Sequence, residues 1–99
     1  SAELTPQGAA VLDELVPLLQ QAGDAAVQIV GNTDNTGNPV GNQTLSEARA
    51  NTVRGALVAR GIDDGRLSTI GYGGDRPIAD NNTADGRQRN RRIDFVLAA

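Results

Sequence analysis

Two ionisable side chains stand where oppositely charged groups could meet: the carboxylate of Asp34 and the guanidinium of Arg49. Arg49 lies four residues after Leu45 and four before Val53, beside the apolar stripe of a predicted helix, so its permanent charge needs a partner. Asp34 is the only acid in the polar stretch 31–41, which leads into that helix. The spacing therefore predicts that the two side chains lie close together, either as a structural ion pair or as part of a ligand site.

A second arginine, Arg91, is expected to join this pair. Alternation along a predicted strand over 91–97 places Arg91 on the same face as Ile93 and Phe95, the face that helices would cover. If this strand runs antiparallel to the strand that precedes Asp34, Arg91 begins it close to that carboxylate. Two cations facing one carboxylate leave surplus positive potential, which suits a ligand that carries both a carboxylate and an ammonium group.

Several other kinds of site are disfavoured by composition. The chain has no cysteine and no histidine, which excludes disulfides and thiolate metal sites and removes the usual base of serine hydrolases. The stretch Asp34-Asn35-Thr36-Gly37-Asn38 hints at a calcium loop, but Pro39 and Leu45 stand where an EF-hand needs Gly and Glu. No metal, cofactor or catalytic residue is therefore expected.

A nucleic-acid partner is not expected either, although basic residues cluster near the end of the chain. The first 48 residues contain six acids and no base, whereas all nine arginines lie in residues 49–99. The isoelectric point is nevertheless about 4.7, and the only two aromatic residues are Tyr72 and Phe95, so stacking platforms for bases are missing. The basic cluster comprises Arg87, Arg89, Arg91 and Arg92.

The chain is expected to form one soluble domain over residues 1–99, cut from a longer protein. Its 99 residues suffice for a single core, and no apolar run reaches the ~20 residues needed to cross a bilayer.

The first helix is expected to begin at Thr5-Pro6, because a hydroxyl cap precedes a proline in the first helical position. Gly23 supplies its end. Pro17 lies in its interior, where it removes one hydrogen bond, so a kink or a break is predicted there.

The second helix is expected to begin near Thr44, because Thr44 and Glu47 form a capping box, and to end at Gly61. The strands that precede and follow this helix in the sequence would then run parallel to each other. The predicted strands cover residues 26–30, 67–72 and 91–97, with one helical turn near 85–88.

Taken together, the motifs resemble the OmpA-like peptidoglycan-binding domain found in outer-membrane protein A, peptidoglycan-associated lipoprotein and flagellar-motor stator proteins. The resemblance covers about residues 2–97. Its anchors are Gly31-x-Thr33-Asp34-x-x-Gly37, Asn42-x-x-Leu45-Ser46-x-x-Arg49-Ala50-x-x-Val53, Arg66-Leu67, Gly71-Tyr72-Gly73, Pro77 and Asn81-x-Thr83-x-x-Gly86-Arg87-x-x-Asn90-Arg91-Arg92-Ile93.

The resemblance implies an α+β fold of two layers, a mixed sheet with helices on one face, and a non-catalytic anchor of the bacterial cell envelope. It also implies that Asp34 binds an ammonium group of diaminopimelate in the peptidoglycan stem peptide, and that Arg49 binds its carboxylate. Arg91 and Asn42 would line the same pocket. Backbone N–H groups of the Thr36–Gly37 turn are expected to complete it.

Two departures from the family pattern bear on these expectations. Many members have His or Tyr where this chain has Asn32. The family's first strand normally precedes the Ala-Glu-Leu-Thr segment, so the chain is expected to lack it and to leave a sheet edge exposed, through which a weak homodimer could form. Two other functions stay open: a protein–protein module of the envelope, and a wall hydrolase that uses pairs of acidic residues.

Overall fold

The chain folds into a helical layer packed on a sheet, which confirms the expected α+β class. The computed structural model describes residues 2–98. Among these residues, none of the helices combines the length and the apolar character needed to cross a bilayer. The elements are α1 (Pro6–Gln21), β1 (Val27–Gly31), α2 (Pro39–Ala59), β2 (Leu67–Gly71), α3 (Ala84–Asn90) and β3 (Ile93–Leu97), with a short 3₁₀ turn (Asp64–Arg66) before β2.

The sheet has β1 at its centre, in the order β2-β1-β3. β1 runs parallel to β2, with Gly31 opposite Gly71, and antiparallel to β3, with Gly31 opposite Ile93. The predicted parallel pairing of the first two strands is thus confirmed, and the antiparallel direction on which the argument for Arg91 depended is the one observed. Because β3 runs antiparallel, its first residue lies beside the carboxyl end of β1, where the candidate site begins.

The core lies between the sheet and the two long helices. Val27 and Ile29 alternate along β1 and are fully buried, as is Leu57 of α2. Burying each such side chain contributes about 1.5–3 kcal/mol. The full cluster comprises Leu12, Leu19, Val27, Ile29, Ala50, Val53, Leu57, Ile62 and Leu67.

α1 begins where the sequence predicted, with the Thr5 side chain accepting a hydrogen bond from the N–H of Gly8 at 3.0 Å. Of the kink or break predicted at Pro17, the break is wrong, because the helix continues through that residue to Gln21. Leu12 and Leu19 are buried in the core on either side of the exposed Pro17. Their packing holds both halves of the helix in place despite the missing hydrogen bond.

α2 begins at Pro39, five residues before the predicted start at Thr44, so that prediction is wrong. The Asn38 side chain caps it by accepting from the N–H of Val40 at 2.8 Å and of Gly41 at 3.4 Å. Asparagine before proline is a strong start signal, because proline is preorganised for the first helical position. Thr44 therefore lies inside the helix, and the loop after β1 is shorter than predicted.

β3 begins at Ile93, two residues later than predicted, and this changes the place of Arg91. Arg91 is the C-cap of α3, with φ −80° and ψ 85°. α3 is also longer than the single turn expected, because the Thr83 side chain caps it by accepting from the N–H of Gly86 at 2.9 Å. The strand-alternation argument for Arg91 is therefore wrong, since this residue precedes the strand.

A pair of glycines allows α2 to lie directly on the end of the sheet. A Cβ at Gly31 would lie 2.8 Å from the carbonyl carbon of Ser46, and one at Gly71 would lie 2.6 Å from the amide nitrogen of Glu47. Ser46 also accepts a hydrogen bond from the N–H of Gly73 at 2.9 Å. The first half of α2 is thus fixed against the carboxyl ends of β1 and β2.

Candidate ligand-binding site

Asp34 lies at the carboxyl end of the central strand, in a segment that is held on both sides. The N–H of Asn32 donates to the carbonyl of Arg92 at 2.9 Å, and the N–H of Thr33 donates to the carbonyl of Gly73 at 2.8 Å. The backbone leading to Asp34 is therefore bonded to both flanking segments of the sheet. Its carboxylate is positioned by regular structure, although it belongs to a loop.

The Asp34 carboxylate is almost fully buried, with 8% of its side chain exposed, and it is hydrogen-bonded. One oxygen accepts from the N–H of Thr36 at 2.8 Å, and the other forms an ion pair with Arg91. Burial alone would raise the pKa of Asp34, but the hydrogen bonds from Thr36 and Arg91 outweigh it and hold the pKa below its ordinary value. Asp34 is therefore an anion at neutral pH.

Arg91 reaches Asp34 from the end of α3. One guanidinium nitrogen pairs with Asp34, and the other donates to the Gln88 side chain at 2.7 Å. The Arg91 side chain remains 38% exposed. Asp34 and Arg91 are thus in contact, as the sequence predicted, but Arg91 reaches Asp34 from the C-cap of α3 and not from a strand.

Asn42 links the start of α2 to the same loop. Its amide donates to the carbonyl of Thr36 at 2.9 Å and to that of Asp34 at 3.4 Å. Gly37, with φ +84°, makes the turn that follows Thr36. The N–H of Thr36 was expected to serve a ligand, but in this structure it donates to Asp34.

Arg49 lies on α2, seven residues after Asn42 and so on the same helix face, about 10.5 Å further along the axis. It is half-buried and lines a cavity of about 460 Å³ together with Arg91 and Arg92. The sequence predicted that Arg49 lies close to Asp34, as an ion pair or as part of a ligand site; the structure shows an ion pair between Asp34 and Arg91. The apolar part of the cavity wall includes Leu4, Val11, Leu12, Val53, Ile93 and Phe95.

The remaining arginines of the basic cluster are engaged in local contacts. Within residues 2–98, the cluster is therefore not an uncompensated patch of the kind that binds a phosphate backbone. Arg87 donates to the carbonyl of Asn81 at 3.0 Å, Arg89 pairs with Asp85 at 3.2 Å, and Arg92 pairs with Asp94 at 3.1 Å.

Asn90 is a positioning residue that the sequence analysis named as part of the final motif without giving it a structural role. It is fully buried, and its side chain accepts from the N–H groups of Ile78 and Ala79 at 2.8 and 3.0 Å. These bonds tie the end of α3, and hence Arg91, to the preceding loop. An asparagine in an arginine-rich stretch gave no periodic signal that would have revealed its burial.

Across residues 2–98, no group of three acidic side chains lies close enough together to hold a metal ion. The site thus consists of one buried anion, a paired cation and a cavity with further cationic walls.

These features define a small α+β domain with a charged site where the central strand meets two helix ends. The model of the OmpA family matches residues 1–91, and the chain belongs to the OmpA family. It is 41% identical over 98 residues to the probable lipoprotein YiaD of Escherichia coli, covering 99% of this chain and 45% of that protein. It is 42% identical over 96 residues to the peptidoglycan-binding protein ArfA of Mycobacterium tuberculosis, covering 97% and 29%. The chain thus spans less than half the length of these two curated relatives.

Solved structures agree with this fold. The peptidoglycan-associated lipoprotein of Burkholderia pseudomallei matches with a TM-score of 0.90 and 30% identity, over 99% of this chain and 83% of that one. The C-terminal domain of Helicobacter pylori MotB matches with a TM-score of 0.92 over 100% and 78%. At 23% identity, the second likeness concerns the fold alone.

Proposed function

We propose that this domain is a non-catalytic module that binds peptidoglycan through the diaminopimelate of its stem peptide, in the bacterial cell envelope. Relatives named for peptidoglycan binding or association support the ligand class, and relatives named as lipoproteins and outer membrane proteins support the location. The observation that carries the proposal is a buried, ionised Asp34 whose partner Arg91 shares a cavity with Arg49.

Binding would exchange an internal ion pair for two external ones. The ammonium group of diaminopimelate takes the place of Arg91 at Asp34, and the released guanidinium turns to the ligand carboxylate together with Arg49. Charge stays balanced throughout, because the ligand brings one charge of each sign. Arg91 is suited to this movement, since its 38% exposure makes its release from Asp34 less costly than that of a buried group.

Because the exchange replaces one pair by two, the net gain is smaller than the ~1.5–3 kcal/mol that each charge-assisted hydrogen bond is worth. Affinity for one stem peptide is therefore modest. Firm attachment would come from the high effective concentration of ligand along the polymer.

Co-sedimentation with insoluble peptidoglycan tests the proposal. Asp34→Ala and Arg49→Ala should lose most of the bound fraction, whereas Arg89→Ala, which removes the same charge from an exposed surface pair, should bind like wild type. Amidated diaminopimelate should bind severalfold more weakly, because a neutral amide no longer complements Arg49. Folded Asp34 and Arg49 variants that still sediment with the wall would refute the assignment.

The same experiment separates a second candidate, a self-association module. β3 is an edge strand of the described sheet, and its Val96 and Leu97 side chains are 51% and 45% exposed. Sedimentation that depends on protein concentration and not on added wall would favour that function over peptidoglycan binding.

A further inference from the structure

Gln88 contacts the arginine that moves in the proposed exchange. It lies on the last turn of α3, three residues before Arg91, and it lines the larger cavity together with Arg49 and Arg91. Its side-chain carbonyl accepts a hydrogen bond at 2.7 Å from one guanidinium nitrogen of Arg91, whereas a different nitrogen of that group pairs with Asp34. Arg91 is therefore held at two points, by one charged acceptor and one neutral acceptor.

The backbone that carries Gln88 is fixed at both ends of α3. The Thr83 side chain caps the first turn of this helix. At the other end, the buried Asn90 accepts from the N–H of Ile78 at 2.8 Å. Because both ends are tied to the preceding loop, the backbone at Gln88 stays in place when the Arg91 guanidinium moves.

The two acceptors of Arg91 differ in what the exchange does to them. The ligand ammonium replaces Arg91 at Asp34, but it does not compete for Gln88, whose carbonyl can still accept from the guanidinium. A guanidinium is planar with five N–H donors in a fixed arrangement, so holding one nitrogen keeps the remaining donors in the cavity beside Arg49. Without this contact the released side chain would turn into solvent, and ordering it again would cost affinity.

We propose that Gln88 is a positioning residue that keeps the released Arg91 guanidinium in the cavity. It thereby sets the preference of the site for diaminopimelate with a free carboxylate over the amidated form. This inference rests on the proposed function and adds a specificity-determining residue to it. The acceptor must be neutral, because a carboxylate at position 88 would neutralise Arg91 and repel the carboxylate of the ligand.

Isothermal titration with two soluble stem tripeptides tests the inference. The tripeptides differ only in whether the side-chain carboxylate of diaminopimelate is free or amidated, and wild type should bind the free acid severalfold more tightly. Gln88→Met keeps the length of the side chain but removes the acceptor. It should weaken binding of the free acid by about two- to tenfold, the range expected for one side chain that must be ordered on binding. Binding of the amidated form should stay nearly unchanged, because a neutral amide gains little from Arg91.

Two further variants sharpen the comparison. Gln88→Glu keeps an acceptor but adds a charge, so it should weaken binding of the free acid more than Gln88→Met does and remove the preference. Gln20→Met, the same substitution at an exposed position of α1, is the matched control and should keep the wild-type preference. Because Gln88 is exposed, its variants are expected to fold, which circular dichroism checks.

The outcomes separate this inference from the proposed function. If Gln88→Met weakens both tripeptides equally, or keeps the wild-type preference, Gln88 does not set specificity, and peptidoglycan binding stands without it. Free-acid binding by Gln88→Glu as tight as that of wild type would also overturn the inference. Failure of wild type to bind either tripeptide would overturn the proposed function and the role of Gln88 together.

Discussion

The Asp34–Arg91 pair yields a prediction about stability that is independent of any ligand. In Asp34→Asn, the side chain keeps its shape and one carbonyl oxygen, so it still accepts from the N–H of Thr36. The change removes the negative charge opposite Arg91. Any loss of stability therefore reports mainly on the ion pair, and not on packing.

The size of the effect follows from the geometry. A charge-assisted hydrogen bond contributes about 1.5–3 kcal/mol, and this one is lost in Asp34→Asn because the amide NH2 that faces Arg91 cannot accept from a guanidinium. The 38% exposure of Arg91 screens part of this, which brings the expected loss to about 1 kcal/mol. In a domain of this size, that lowers the melting temperature by about 4–8 °C.

The dependence on pH gives the decisive signature. The pKa of Asp34 is lower in the folded protein than its ordinary value, so folding favours the ionised form. The stabilisation is fully present above the unfolded pKa of about 3.9 and is lost as pH falls through the lower folded pKa. Thermal unfolding followed by circular dichroism should therefore show a constant difference between wild type and Asp34→Asn near neutral pH, and a shrinking one in acid.

A double-mutant cycle with Arg91→Gln isolates the pair. The coupling between positions 34 and 91 should be about 1 kcal/mol near neutral pH and should vanish with the charge on Asp34. A coupling near zero at neutral pH, or a stability difference that persists unchanged in strong acid, would refute this reasoning.

Two further predictions concern the elements that position the site, and both use guanidinium chloride unfolding at neutral pH. Asn38→Ala should lower the free energy of unfolding by about 1 kcal/mol because it removes the α2 cap. Thr44→Ala should change it by less than about 0.5 kcal/mol because Thr44 lies inside the helix. A larger loss for Thr44→Ala than for Asn38→Ala would show that the helix begins at Thr44. Gly31→Ala should destabilise the fold by about 1–3 kcal/mol because the added Cβ would meet Ser46. Gly55→Ala should stabilise it by about 0.5–1 kcal/mol because a Cβ there has no atom within 4 Å. Equal effects at the two glycines would argue against the close approach of α2 to the sheet.

Local signals predicted most elements because they act within a few residues. The hydroxyl cap at Thr5 and the alternation through Val27 and Ile29 each depend on neighbouring side chains. The errors arose where two local signals competed. Asn38-Pro39 and the Thr44 capping box both mark helix starts. The earlier start prevails because the Asn38 side chain accepts from the N–H groups of the first turn, which would otherwise lack a partner.

The candidate site was less predictable than the fold. The sequence placed Asp34 and Arg91 together through strand alternation, and the structure brings them together through the end of α3. Arg49, which the sequence also placed near Asp34, lines a cavity together with Arg91. Side-chain direction at a helix C-cap depends on backbone angles that a strand pattern does not describe.

By itself, the sequence determined the class of fold, the parallel pairing of the first two strands and the set of charged residues available to the site, because periodicity and chain connectivity limit how these elements can pack. Only the tertiary structure decided which cation neutralises Asp34 and how closely α2 approaches the sheet. Those outcomes depend on contacts between residues that are far apart in the sequence, such as Asp34 and Arg91. The free energy of such a contact is set by the burial of its groups and the distance between them in three dimensions.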